Sequence, residues 1–330
     1  MSRIEQIIAR QQEKINDGQY YESHQQLRVI ASRYIKQNNS NAAIEILAGG
    51  ALALLKAGQG GSGGDLGLFM LDIYNKAELG PDAENKGRLL SILRAFPQHE
   101  PTKKRYVGEM IGWSCRFGEY ENGDPELHHV AGTLYAEESE AYEAERHLAL
   151  GTKDSPEQLA RLEYEWYTQD DSHTAALYAA RAVFPYLLIN NLRSANKAYL
   201  IFISQLSKHK SLNIQEVSSK SADIKVYPSL PLLNFIGLLL LAIQRGNSDL
   251  FRQLAKHYAP HVKDTGNWDD GLAQIGEMYF GIKIPRQGNP LFDMMSSMMF
   301  GGAASGGSPK PGTPKQKKVE APIPPAADLD

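Results

Sequence analysis

The feature of this sequence that most constrains its fold is a run of short amphipathic helices in residues 123–162. Asp124 followed by Pro125 is an N-cap residue and a first-turn proline, a pair that opens helices. The apolar residues after this pair recur at intervals of three and four and therefore share one helical face: Leu127, Val130, Ala131, Leu134 and Tyr135. Gly151 is placed to end a second helix, and Ser155-Pro156 opens a third. None of these helices can bury its apolar stripe alone, so the pattern predicts consecutive helices packed against each other.

The same unit recurs along most of the chain. Apolar periodicity predicts helices at residues 3–17, 20–36, 41–56, 65–78, 83–95, 101–118, 124–138, 140–150, 156–169, 172–189 and 191–208. The breaks between them are short and carry Gly, Pro, Asn or Asp. The spacing is irregular and matches no strict tetratricopeptide consensus. We therefore predict an all-α fold, an α-solenoid of stacked helical hairpins that is tetratricopeptide-like but irregular.

Helical periodicity stops after residue 211, where apolar and polar residues alternate on both sides of a serine-rich turn. This alternation predicts one small β-hairpin, near residues 212–227, inserted into the helical chain. Helices are predicted again at 229–245, 248–261 and 267–281. A short methionine-rich helix is expected at 289–300, followed by a disordered Pro/Lys-rich tail. The predicted organisation is an N-terminal half over residues 1–150, a C-terminal half over 151–300 and a tail over 301–330.

Composition excludes several classes of protein. The 330 residues carry a net charge of −3, and Cys115 is the single cysteine, so no internal disulfide can form. The first residues contain charges without an uninterrupted apolar region, and no apolar run reaches the ~20 residues of a membrane span. Residues 119–170 contain fourteen Asp/Glu against three Lys/Arg, which argues against nucleic-acid binding there. A soluble cytosolic protein without direct membrane insertion is expected.

The sequence offers no convincing catalytic, metal or cofactor site. The glycine-rich segment at residues 58–65, GQGGSGGD, lacks the Lys-Ser/Thr pair of a phosphate-binding loop and ends in Asp65, which would repel phosphate. We expect this segment to be a flexible loop. His128 and His129 are adjacent on a helix, diverge by about 100° and cannot both face one ion. No Ser/His/Asp order or nucleophile elbow is present, so a non-enzymatic protein without cofactors is expected.

Two features suggest binding to other proteins. The helix at 229–245 is apolar on nearly every side, which is typical either of core or of the floor of a groove for a partner, and the periodicity leaves both open. In a solenoid a terminal helix lacks one neighbour, so exposure of part of its apolar face is expected. At the other end, the helix at 20–36 offers aromatic and basic side chains suited to an interface: Tyr20, Tyr21, Arg28, Arg33 and Lys36.

Four blocks, in this order, carry a resemblance to a known family: GQYYESHQQLRVIASRYI, KAGQGGSGGDL, GDPELHHVAGTLYAEESEAYEAERHLALGTKDS and FDMMSSMM. Together they closely resemble the Golgi-to-ER traffic protein 4 family, the cytosolic scaffolds of the guided-entry pathway for tail-anchored membrane proteins. The resemblance runs from the first helix to about residue 301. It implies an adaptor whose N-terminal half docks on the targeting ATPase. Its C-terminal half would hold the N-terminal segment of a partner that contains a ubiquitin-like domain.

The resemblance also implies roles for individual residues. Tyr20 matches a tyrosine that contacts the ATPase, and Asp65 matches an acidic residue that tunes ATPase activity. Lys36 stands where arginine is typical of the family, which keeps the charge but loses the bidentate geometry. The hairpin and the apolar helix match the region that binds the ubiquitin-like-domain partner, and the residues assigned to that contact are Ile224, Val226, Leu232, Leu233, Phe235 and Ile236.

These observations predict a non-enzymatic cytosolic adaptor that bridges the two partners and promotes post-translational delivery of tail-anchored proteins to the ER. The alternative is a helical-repeat scaffold subunit of another cytosolic complex. The ordered blocks and the inserted hairpin disfavour that alternative. A third hypothesis, an enzyme with an unrecognised site, would require a convergent polar pocket.

Overall fold

The computed structural model describes residues 2–208, 215–219, 222–266 and 268–282. Fourteen α-helices, one 3₁₀ turn at Ser172–Thr174 and two short strands lie within these residues. The helices are α1 (Arg3–Asn16), α2 (Tyr20–Lys36), α3 (Ser40–Lys56), α4 (Gly60–Lys76), α5 (Ala83–Ala95), α6 (Pro101–Phe117), α7 (Pro125–Glu137), α8 (Ala141–Leu148), α9 (Ser155–Tyr167), α10 (Ala175–Leu188), α11 (Leu192–Leu206), α12 (Pro231–Gln244), α13 (Ser248–Lys263) and α14 (Trp268–Phe280). The strands are β1 (Gln215–Ser219) and β2 (Ala222–Val226).

The helices pack mainly against elements that are close in sequence. α3 lies between α2 and α4, α7 pairs with α8, α9 packs on α10 and α11, and α12 pairs with α13. Contacts restricted to near neighbours are the signature of a solenoid, in which each unit buries the apolar stripe of the next. The predicted all-α solenoid is confirmed. The described residues belong to one compact unit, Met1–Pro285, so a division at residue 150 stays a prediction.

A recurring turn joins several of these helices. A residue with positive φ follows the C-cap of one helix, and the next residue is the N-cap of the following helix, as at Asn38-Asn39 and Asn190-Asn191. The side chains of Asn39 and Asn191 then accept hydrogen bonds from backbone N–H groups of the new helix, Asn39 from Ala42 at 3.1 Å. Asparagine tolerates the left-handed conformation and also caps well, which explains its use in these connections.

The expectation of a flexible loop at residues 58–65 is wrong, because α4 begins at Gly60. The glycines allow close packing inside the solenoid. A Cβ on Gly63 would lie 2.5 Å from the Leu55 side chain and 2.9 Å from the Ala51 carbonyl oxygen. A Cβ on Gly64 would lie 2.5 Å from Thr102, and one on Gly67 would lie 2.8 Å from Tyr106. Tertiary packing against α3 and α6 therefore outweighs the low helix propensity of glycine.

The predicted hairpin falls only partly within the described residues. β1 and β2 pair antiparallel, with Gln215 opposite Val226 and Ser219 opposite Ala222. Residues 209–214 and 220–221 lie outside the described residues, so the complete hairpin stays a prediction. The predicted helix at 289–300 and the tail after residue 301 also lie outside them.

Ion pairs join the acidic stretch to the helices before it. Lys86 of α5 lies 3.1 Å from Asp124 and 2.8 Å from Glu126, and the buried Lys103 of α6 pairs with the buried Glu138. Several carboxylates in residues 119–170 therefore neutralise lysines of neighbouring helices. The charge asymmetry in this part of the sequence is in large part a feature of helix packing.

Candidate partner-binding surfaces

The first candidate surface follows the outer face of α2. A shallow concavity of about 370 Å³ is lined by Gln25, Arg28, Val29, Ser32, Arg33 and Lys36. Three of these six side chains are cationic, and Val29 is 51% exposed between them. An exposed apolar side chain among fixed-charge cations is suited to a partner that presents carboxylates around an apolar contact.

Asp65 lies beside this surface because α4 packs near α2. Its carboxylate is 2.8 Å from His24 Nε2 and accepts a hydrogen bond from Arg28. Arg28 also lies over the ring of Phe69, with 5.2 Å between the guanidinium carbon and the ring centroid. Burial raises the pKa of Asp65, but the hydrogen bonds from Arg28 and His24 outweigh it, and the net pKa is lowered. Asp65 is therefore a carboxylate held in place by two α2 side chains.

The three residues predicted to contact the ATPase occupy different positions along α2. Tyr20 is half-buried at its first turn, and Lys36 is exposed at its last residue. The two positions are about 24 Å apart along the helix axis. Asp65, on α4, contacts His24 and Arg28, which lie about one and two turns after Tyr20 on α2. The three side chains are therefore spread along the length of α2 and do not meet at one point.

Sequence reasoning missed His24 as a partner of Asp65 and Val29 as an exposed apolar side chain. The available signal was the spacing of Tyr20, His24 and Arg28 at intervals of four, which puts all three on adjacent turns of one face. Nothing local in the sequence connects them to Asp65, which is 41 residues from His24.

The second candidate surface is on α12. Part of its apolar face was expected to be exposed. At three of the assigned positions this is wrong, because Leu233, Phe235 and Ile236 are each 0% exposed. Phe235 packs on Tyr258 of α13 and Trp268 of α14, with ring centroids 5.3 Å and 6.4 Å apart. α12 is not a terminal helix, because α13 and α14 follow and cover this side of it.

Other residues of this region are accessible. Val226 and Leu232 are half-buried, and the same is true of Leu238 and Leu241, which were not predicted. The side chain of Ile224 lies outside the described residues. Asn234 fixes the approach of β2 to α12, since its side chain accepts from Tyr227 N and donates to Tyr227 O, both at 2.8 Å. The accessible apolar positions are therefore presented on a fixed backbone.

The histidines and the cysteine that were considered as metal-binding or reactive side chains take part in packing contacts. His128 is buried with its Nδ1 2.9 Å from Nδ1 of His147, and burial lowers the pKa of both rings. His129 contacts Ser155 Oγ at 2.8 Å. Cys115 is half-buried, and desolvation raises the pKa of its thiol. Within the described ranges, no group of three or more His, Cys, Asp or Glu side chains is arranged to hold a metal ion.

The part of the chain that is described also contains no helix long and apolar enough to cross a membrane.

Comparisons with known proteins identify the family. The sequence profile of the family described as Golgi to ER traffic protein 4 matches residues 37–299. A protein of that name from Aspergillus fumigatus is 61% identical, with 100% of this chain and 99% of the relative covered. The Schizosaccharomyces pombe protein is 34% identical over 86% of this chain and 92% of its own length. The crystal structure of C. therm. Get4 superposes with a TM-score of 0.82 at 54% identity, covering 92% of this chain and 97% of that one. The chain therefore belongs to the Golgi to ER traffic protein 4 family.

Proposed function

We propose that this chain is a non-enzymatic cytosolic adaptor that bridges the tail-anchored-protein targeting ATPase and a partner containing a ubiquitin-like domain. The two partners would bind at opposite parts of the helical array, and the chain would thereby promote delivery of tail-anchored proteins to the ER. Family membership gives a role in Golgi-to-ER traffic, and the all-helical scaffold supports a binding rather than a catalytic function.

The observation that carries the proposal for the ATPase end is the cationic concavity on α2. Arg28, Arg33 and Lys36 line it, and Asp65 fixes Arg28 through their hydrogen bond. Pre-organised cations lose little side-chain freedom when a partner binds. We assign Tyr20, Lys36 and Asp65 to this contact, with Asp65 acting through the position of Arg28.

The proposal for the other end rests on the accessible apolar residues of β2 and α12. Val226 and Leu232 remain in the proposed contact with the partner's N-terminal segment, and Leu238 and Leu241 extend it along α12. Leu233, Phe235 and Ile236 support this surface from beneath, since they are covered by the chain itself. Ile224 is assigned from the family resemblance alone.

The test is a pair of charge-reversal variants in the full chain. Lys36→Glu should weaken ATPase binding by about tenfold or more, because it removes a cation from the surface and adds a repulsive carboxylate. Lys56→Glu is the matched control, since Lys56 is also the exposed last residue of its helix. Binding is measured by isothermal titration with each purified partner.

Equal ATPase affinities for the two variants would contradict the assignment of the α2 surface. Loss of binding to the ubiquitin-like-domain partner in Lys36→Glu would contradict the separation of the two ends. Failure of the wild-type chain to bind either partner would favour a scaffold role in another complex.

A further inference from the structure

His24 links the α2 surface to α4 through its side chain. Its Nε2 lies 2.8 Å from the Asp65 carboxylate, and its Nδ1 lies 3.3 Å from the side-chain amide nitrogen of Gln25. An ionised carboxylate can only accept a hydrogen bond, and an amide NH2 group can only donate one. The imidazole therefore carries its proton on Nε2 and donates it to Asp65, while Nδ1 accepts from Gln25.

Two successive turns of α2 meet two successive turns of α4 at this point. His24 and Arg28, four residues apart, both donate to the same Asp65 oxygen, Oδ2. Four residues after Asp65, the centroid of the Phe69 ring lies 5.2 Å from the guanidinium carbon of Arg28. Residues four apart share one face of a helix, so these are two facing pairs. The position of Arg28 is consequently set by α4.

His24 is the least exposed member of this group. Its side chain is 13% exposed, against 40% for Arg28 and 44% for Asp65. An ion pair between two exposed side chains does little to hold either of them in one geometry, because both lose freedom on pairing and solvent screens their attraction. A largely buried ring has little room for other rotamers. The hydrogen bond from His24 therefore supplies the fixed point from which Asp65 orients Arg28.

His24 does not line the concavity that Arg28 helps to form, so its influence on a partner there is indirect. We propose that His24 is a positioning residue of the ATPase-binding surface, which holds Asp65 and thereby directs Arg28 toward a carboxylate of the partner. The inference rests on the proposed function and deepens it, because it identifies what orients one of the three cations of that surface. A cation whose orientation is already fixed loses little freedom when the partner binds.

The test compares variants of the full-length chain that keep or remove the donor at this position. His24→Phe keeps a ring without an N–H group. It should weaken ATPase binding by about threefold to tenfold, because Arg28 must then be ordered when the partner binds. His24→Leu, a second side chain without a donor, should give a similar loss. His24→Gln should bind nearly as well as wild type, since its amide nitrogen can take the place of the imidazole Nε2. The affinities are measured by isothermal titration with the purified ATPase.

A double-mutant cycle separates positioning from simple packing. If His24 acts through Asp65, His24→Phe should have no further effect on ATPase affinity in a chain that already carries Asp65→Ala. His173→Phe is the matched control, because His173 is an exposed histidine of the 3₁₀ turn, and it should leave the affinity unchanged. Urea denaturation checks that the variants compared have the wild-type fold.

Lys36→Glu is titrated in parallel, so that failure of this inference can be told from failure of the proposed function. If Lys36→Glu weakens binding while His24→Phe and His24→Leu bind like wild type, the role of His24 is overturned and the ATPase surface remains. That role is also overturned if His24→Gln binds no better than His24→Phe, or if the effects of His24→Phe and Asp65→Ala are additive. Wild-type affinity of Lys36→Glu would overturn the proposed surface, and the role of His24 with it.

Discussion

Glu163 is a carboxyl group without solvent exposure, located between Glu145 and Arg181. Burial, followed by the hydrogen bond and charge of Glu145, raises its pKa well above the usual value, although Arg181 acts in the opposite direction. At neutral pH the folded chain therefore keeps a proton on Glu163. One net negative charge remains to pair with Arg181.

This protonation makes stability depend on pH with a defined sign. The unfolded chain releases the proton near the ordinary pKa of 4.5, whereas the folded chain retains it. Unfolding thus releases a proton above about pH 5, and this residue lowers stability by up to about 1.4 kcal/mol per pH unit as pH rises. Glu163→Gln keeps the size and polarity of the side chain and removes the titration. We expect the variant to gain stability relative to wild type as the pH is raised from about 5 to about 8.

The measurement is urea denaturation of both proteins at the two pH values. Glu165→Gln is the control, because Glu165 is exposed on the same helix and should show the wild-type pH dependence. Parallel stability profiles for wild type and Glu163→Gln would show that Glu163 is ionised in the folded chain.

At the scale of single elements, α4 shows a helix formed against local propensity. Its glycines at positions 63, 64 and 67 are covered by α3 and α6, while Gly61 has no neighbour within 4 Å of an added Cβ. Gly63→Ala should destabilise the fold by about 1–3 kcal/mol, because its methyl group would meet the Ala51 carbonyl and Leu55. Gly61→Ala should stabilise it by up to about 1 kcal/mol through helix propensity alone.

Both variants are compared with wild type by urea denaturation at one pH. If the two substitutions changed the free energy of unfolding in the same direction, the helical packing of α4 would be contradicted.

The α12 positions are distinguished by a second matched pair. Leu233→Asp places a carboxylate at a fully buried position of α12, and we expect the free energy of unfolding to fall by at least about 4 kcal/mol. Leu232 is half-buried. Leu232→Asp should therefore leave the fold intact while it weakens binding of the ubiquitin-like-domain partner. Thermal unfolding followed by partner titration checks both outcomes. Equal stability losses would mean that Leu232 is also core.

The elements show what the sequence could predict. Apolar spacing of three and four located the helices, because each buried stripe is a local pattern. The spacing could not show which face of α12 is covered, because a helix that is apolar on every side has no distinct stripe. Phe235, for example, is covered by Trp268, which is far from it in the sequence. The spacing also misjudged α4, where glycine is retained for contacts with α6. The link from Asp65 to His24 likewise depends on two helices that meet only after folding.

At the scale of the whole molecule, the two proposed interfaces differ in the forces that would hold a partner. The α2 surface is lined by Arg28, Arg33 and Lys36, so attraction to an acidic partner would be screened by salt. The residues proposed for the other contact, Val226, Leu232, Leu238 and Leu241, are apolar, and the free energy of burying apolar area changes little over the same range of salt. An adaptor built this way can exchange one partner while it retains the other.

We therefore expect the affinity for the ATPase to fall by about tenfold or more between about 50 mM and about 500 mM NaCl. The affinity for the ubiquitin-like-domain partner should change little over the same range. Isothermal titration of each partner at both salt concentrations measures this difference. Lys36→Glu should reduce the salt dependence at the ATPase end, because one of the screened attractions is gone, whereas Lys56→Glu should retain it. Equal salt dependence for the two partners would contradict the assignment of a charged contact to α2 and an apolar contact to α12.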